Sequence, residues 1–221
     1  MEYKPSSNSS WVWRRICKVK DELRAGYSNG HWTAQPGEFT PAGCYTWLRG
    51  NRPKAQWNKA VWNAWTLPKH QFLGWLVAHE ALSTTAKLVR FGMDIEDKCY
   101  LCGLISETME HLFCECHYSR RIVRELNKIT AWDFPTRNTM EWCVHRTGTA
   151  LQRGIQNAMM MSMLYQIWQQ RNKSRTENVL LRPEVVAGII MEEMRSRVRT
   201  RERTPMTIED RDWLSRIRLM I

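Results

Sequence analysis

Apolar residues along this chain recur at helical rather than alternating spacing and fall into a series of amphipathic runs. Trp11 to Arg24 reads as a helix, followed by a loop rich in Gly, Ser, Asn and Pro up to about Pro41. Pro68 suits the first turn of a helix carrying Phe72, Leu73, Leu76 and Val77. Ser83 caps a short helix that Gly92 ends. Glu107 and Glu110 suit the first turn of the next helix, where carboxylates meet the positive dipole end. Asn138-x2-Glu141 and Thr149-x2-Gln152 read as capping boxes. Beyond Thr149, the run from Ala158 to Trp168 is apolar on nearly every side. That is expected of a central buried helix whose methionines pack the core. Pro183 opens a helix with Val186, Ile190 and Met194 in one row. Thr207 with Asp210 caps the last, which carries Trp213, Leu214 and Ile217. No period-2 run is long enough for a sheet.

Composition supports a folded, mostly helical protein. The 221 residues are 43% hydrophobic and 25% charged, ordinary for a soluble chain that can bury one core. Twelve tryptophans supply large buried areas. Most are expected in the core, although Trp57, Trp62 and Trp65 could present a stacking face to unpaired bases. The N-terminus lacks the apolar segment of a signal peptide, and Ala158 to Trp168 is too short to span a bilayer. Seven cysteines cannot all pair, four of them crowd residues 99–116, and Cys17, Cys44 and Cys143 stand alone. A reducing, intracellular compartment follows, with the nucleus favoured over the cytoplasm.

Those crowded cysteines carry the main chemical signal. Cys99-x2-Cys102 lets two thiolates reach one ion, and Gly103 suits the tight turn behind them. With His111 and Cys116 they complete a tetrahedral donor set of the structural kind, with no position open for water. By spacing alone the fourth ligand stays open among Cys114, Cys116 and His117. On a helix Cys114 shares a face with His111, whereas Cys116 at i+5 needs the helix to end or bend.

The stretch from Cys99-Tyr-Leu-Cys-Gly-Leu-Ile-Ser-Glu-Thr to Met-Glu-His-Leu-Phe-Cys-Glu-Cys116 resembles a known family. It looks like the zinc-binding domain at the C-terminal end of reverse transcriptases in plant non-LTR retrotransposons. The resemblance extends over Asn51-Arg-Pro-Lys-Ala-Gln-Trp57, Val61-Trp62, Leu67 to Leu76, Leu82 to Leu88, Ile167-Trp168 and Arg171-Asn172. It implies one structural zinc held by Cys99, Cys102, His111 and Cys116, with Cys114 as a small buried side chain. It also implies an appendage to a polymerase rather than the polymerase itself. No Tyr-x-Asp-Asp or adjacent aspartate pair occurs, and no two-metal nuclease set can be placed. The chain is thus expected to be a relic, a domesticated piece or an excised domain, and not an enzyme.

The expected fold is mainly α: a multi-helix globular domain with an embedded Cys-Cys-His-Cys zinc knuckle, leaving room for a short β-hairpin near it. Its expected parts are an N-terminal helix and loop (1–40), the zinc-binding-like helical domain (41–172) and C-terminal helices on the same unit (173–221).

Charge adds a partner. The net of +11 is uneven: residues 49–90 hold seven Lys or Arg and one Glu. This region contributes Arg49, Arg52, Lys54, Lys59 and Lys69 as candidate phosphate contacts. After the knuckle, Arg120, Arg124 and Lys128 recur at i+4 and i+8 opposite the apolar row Ile122, Leu126 and Ile129, making a basic stripe on the solvent side of a helix. The cluster Arg195, Arg197, Arg199, Arg201 and Arg203 is more ambiguous, since Glu193 can pair with Arg197 at i+4. The expected partner is RNA or single-stranded DNA, with no membrane and no small-molecule substrate. The competing reading is a protein–protein scaffold in which zinc and tryptophans only hold the fold.

Overall fold

The computed structural model describes residues 10–28, 40–50, 53–135, 139–201, 206–217 and 219. The chain divides into two units, Met1–Lys54 and Ala55–Ile221. The first contains α1 (Trp11–Ser28) and α2 (Pro41–Arg49). Ser10 Oγ accepts from Trp13 N at 3.2 Å and Thr40 Oγ1 from Gly43 N at 3.2 Å, so a hydroxyl serves a free amide at each helix start.

The second unit holds α3 (Asn58–Val61), α4 (Pro68–Ala78), α5 (Thr85–Arg90), a π-helical turn (His111–Glu115), α6 (His117–Thr130), α7 (Thr139–Val144), α8 (Ala150–Glu177), α9 (Pro183–Arg199) and α10 (Ile208–Arg216). The fold is all helical among the described residues, and the stretch near the knuckle that could have formed a hairpin is turn and coil.

Helix α8 is the axis. Ala158, Met159, Met160, Met161, Met163, Leu164 and Ile167 are completely buried, because α3, α4, α7, α9 and the π turn all pack around it. Two glycines allow the closest approaches. A Cβ on Gly154 would stand 2.5 Å from Trp65 Cδ1, and one on Gly74 of α4 would strike the Met161 sulfur. The capping residues define the other helices. Thr149 with Gln152 and Thr207 with Asp210 form complete capping boxes. Thr149 Oγ1 also donates to Asp210 Oδ1 at 2.7 Å, so the starts of α8 and α10 are tied together.

Two local expectations change, and a third falls outside the described residues. The N-cap of α5 is Thr84, with Ser83 outside the helix, and the chain leaves α5 through Phe91 and then Gly92 at φ +83°. Glu107 precedes the helical turn and is buried, so it does not sit in an exposed first turn. Asn138 lies outside the described residues, so its box with Glu141 of α7 does too. Pro183 opens α9 with Val186, Ile190 and Met194 all buried.

Candidate metal centre and basic surfaces

The knuckle is built by two tight backbone devices. Gly103 takes φ +68°, a left-handed turn that only glycine enters freely, and its N–H returns to Cys99 O at 2.7 Å. Cys99 N donates in turn to Ile105 O at 2.8 Å, which closes the loop that presents Cys99 and Cys102. On the other side, the segment His111–Glu115 is a π turn. Cys116 N donates to His111 O at 2.6 Å, an i→i+5 bond.

The wide turn decides which sulfur faces His111. Five residues of a regular α-helix rotate about 140° beyond a full turn, which would swing Cys116 away. The π turn takes up that excess and returns residue i+5 to the face of residue i. Cys116 then leaves helical geometry at ψ 127° before α6 begins.

The result is a compact cluster: ligand atoms of Cys99, Cys102, His111 and Cys116 all lie within 4.8 Å of one another. The Cys99 and Cys116 sulfurs are 4.0 Å apart, and Cys102 Sγ is 3.3 Å from His111 Nε2. A tetrahedron with Zn–S bonds of about 2.3 Å has edges of about 3.8 Å, so these separations suit one zinc ion. The Cys99 thiol donates to Cys116, which pulls the Cys116 thiol down to about 5 and pushes that of Cys99 up. A dication resolves that crowding by holding both as thiolates. Three of the four are buried, as a structural site requires. Cys114 is buried at 8% exposure outside this group.

A second polar centre braces the knuckle. Glu107, fully buried, accepts from Arg171 Nε at 2.9 Å and Nη2 at 2.7 Å. Its oxygens also accept from Thr85 N and Tyr100 N, each at 3.2 Å. Arg171 Nη2 reaches Ser83 O at 3.3 Å. One carboxylate therefore joins the start of α5, the cysteine loop and α8. Asp97 adds a smaller clamp, accepting from Thr85 Oγ1 and Ser106 Oγ, each at 2.8 Å.

The basic candidates are distributed over several elements. Arg120, Arg124 and Lys128 line one exposed face of α6, opposite the buried Ile122, Val123 and Leu126 and the half-buried Ile129. Neither Arg120 nor Arg124 pairs with a carboxylate among the described residues, whereas Lys128 contacts Glu125 at 2.8 Å. Lys59 is exposed on α3 and Lys54 is exposed in the first unit, where Arg49 ends α2. Arg52 lies outside the described residues. Lys69 is engaged by Glu193 at 3.3 Å and lies 4.7 Å from the centroid of the Tyr165 ring.

The sequence did not reveal two arrangements. Glu193 is not the partner of Arg197. It takes Ser162 Oγ at 2.6 Å, Gln166 Nε2 at 3.3 Å and Lys69 between α4, α8 and α9. Arg197 instead donates to Trp65 O at 3.2 Å and Ala64 O at 3.0 Å. The three tryptophans read as a stacking face also part company: Trp65 is buried, Trp57 half-buried and Trp62 exposed. Phe72 faces solvent with Trp75 instead of joining Leu73 in the core.

The string Gly26-Tyr-Ser-Asn-Gly30 has the lettering of a hydrolase nucleophile elbow, but Ser28 is the last residue of α1 and follows a helix rather than a strand. Among the described residues no helix is long and apolar enough to cross a membrane.

No curated protein and no solved structure matches the chain. The family model described as zinc-binding in reverse transcriptase matches residues 39–122, the stretch that contains all four metal-ligand candidates. That segment of the chain is therefore similar to the zinc-binding domain of reverse transcriptases.

Proposed function

We propose that the chain is a zinc-stabilised nucleic-acid-binding module of reverse-transcriptase origin that performs no catalysis itself. The observation that carries this is the outer face of α6. Arg120 and Arg124 stand exposed, without acidic partners among the described residues, on a helix that begins directly after Cys116, and Arg120 N bonds back to Cys116 O at 2.9 Å. The zinc site fixes the start of that helix, and the buried row of Ile122 and Leu126 fixes its roll, so the guanidinium groups are held outward. Arginines held this way contact phosphate oxygens and gain affinity by releasing counterions, with little sequence readout. Lys59 contributes in the same unit and the exposed Lys54 in the other, where Arg49 ends α2, while Arg52 is a candidate from the sequence alone. Lys69 is a weaker candidate because Glu193 already neutralises it. A nuclear location belongs to the same proposal, and imaging of a fluorescent fusion tests it.

Binding to RNA and single-stranded DNA across a salt series tests the reading. Replacing Arg120, Arg124 and Lys128 with Ala should weaken binding to every sequence alike. It should also flatten the slope of log affinity against log salt by roughly 0.7 per lost contact on single strands. A second reading, a protein-binding scaffold, is favoured by the exposed Leu104 and Ile105 beside the knuckle. A parent chain whose nucleic-acid affinity is negligible at all salt concentrations would select it.

A further inference from the structure

We propose that the outer face of α4 is a stacking platform for the unpaired bases of a single-stranded polynucleotide. This deepens, and rests on, the nucleic-acid reading above. Phe72, Trp75 and His79 follow one another at i, i+3 and i+7, and their rings make a continuous ladder. Phe72 and Trp75 are stacked at 5.9 Å between centroids, Trp75 and His79 meet at 5.0 Å, and His79 meets Trp57 edge-on at 5.3 Å. The inner face of the same helix, with His70, Leu73 and Gly74, is buried against α8. The outer face is not: Phe72 is 58% exposed and Trp75 36%. Trp62, which ends α3, adds another exposed indole.

Charge indicates what covers this face. Helix α4 contains no acidic residue. Lys59 is exposed on α3, two residues from Trp57. At the other end, Lys87 Nζ donates to Glu80 O at 2.8 Å, which holds an ammonium beside the residue that follows His79. Glu80 is the one carboxylate in residues 49–90. Aromatic faces flanked by lysines match a strand that offers bases and phosphates in turn, since every base has a π face to stack and every linkage a negative charge. Duplex DNA hides those faces. The ladder therefore selects single strands, which the arginines of α6 alone do not.

The test uses the zinc-loaded full chain, an oligothymidylate and a duplex of equal length. The pair Phe72→Leu with Trp75→Leu keeps an apolar surface but removes the rings. It should lose roughly tenfold or more in affinity for the oligothymidylate, with the salt slope and duplex affinity unchanged. The pair Phe72→Tyr with Trp75→Phe should bind the single strand like the parent. Oligothymidylate, but not inorganic polyphosphate, should quench the parent's tryptophan fluorescence, a readout that needs no variant. Unchanged single-strand affinity in the leucine pair overturns the platform and leaves the basic-surface reading standing, as does equal quenching by polyphosphate. Equal loss on both probes also overturns it. No binding of either probe by the parent overturns the reading beneath it and the platform together.

Discussion

Arg171 of α8 forms an ion pair with Glu107 of the cysteine loop at 2.7 Å, and both side chains are buried. The residues are 64 positions apart, and Arg171 lies beyond the 39–122 stretch matched to the zinc-binding family. The pair joins two separate pieces of the resemblance, Glu107-Thr108 and Arg171-Asn172, in one buried bond. It also makes α8 part of the support of the metal site.

Breaking that pair from one side should be costly. Arg171→Met leaves the Glu107 carboxylate buried and short of its partner, at a cost of about 3–5 kcal/mol in stability. Adding Glu107→Gln removes the stranded charge and should recover part of the loss. Urea denaturation of the single and double variants measures both effects. A double variant weaker than Arg171→Met by the full cost of a second independent lesion would contradict the coupling.

Removing zinc should loosen a defined region. Structural zinc in small peptides contributes on the order of 10–16 kcal/mol of apparent binding free energy, and the α8-centred core should soften that dependence here. Chelation should raise amide exchange from about Asp97 to Ile129 while the middle of α8 stays protected. Metal analysis finding no zinc in purified protein would reject the site, and unchanged exchange would reject its structural role.

Cys116→Ala should lose zinc far more readily than Cys114→Ala. Cys116 lies in the donor cluster, whereas Cys114 packs as a small buried side chain. The double variant should be only slightly worse than Cys116→Ala. Zinc release titrations on the three proteins decide the matter, and a larger loss in Cys114→Ala would reverse the assignment.

Acid should destabilise the core through His70. The side chain is fully buried, and burial pushes its pKa down to about 4, with Lys69 adding to the effect and Glu193 opposing it. The unfolded chain takes up a proton near pH 6.5 while the folded one does not. Stability is therefore complete above that pH and declines as pH falls toward 4, by up to about 3 kcal/mol. His70→Gln should flatten melting temperature against pH in this window, and an unaltered profile would place the titration elsewhere.

Gly154→Ala should destabilise the protein by about 1–3 kcal/mol, because the new methyl group meets the Trp65 ring at 2.5 Å and an indole cannot shrink aside. Thermal melting reads this directly. Gly74→Ala is expected to cost less, since the Met161 side chain facing it is flexible.

Much of this fold was legible in the chain because its helices begin with chemistry that spells itself out. Thr149 with Gln152, Thr207 with Asp210, Pro68 and Pro183 each mark a start within a few residues, and local rules suffice. The Cys99-x2-Cys102 pair was legible for the same reason, whereas Cys116 was singled out from its neighbours only by the family resemblance. Long-range pairing was not: nothing within a few residues of Glu107 or Glu193 announces Arg171, Ser162 or Gln166. Glu107 was misplaced because its helix-start context is real, yet an arginine far along the chain draws it inward. The aromatic residues of α4 were hard to sort because that helix is apolar on both faces, and only packing against α8 shows which rings stay outside.

The π turn between His111 and Cys116 makes this site sensitive to counting rather than to spelling. Glu115 is exposed, so its identity is open to change. The number of residues between the two ligands is not. Inserting or removing a single residue there would move a sulfur around the helix axis by about 100° and carry the whole of α6 with it. Length variation, which surface loops absorb easily, should thus be harder to accommodate between residues 111 and 116 than substitution at position 115.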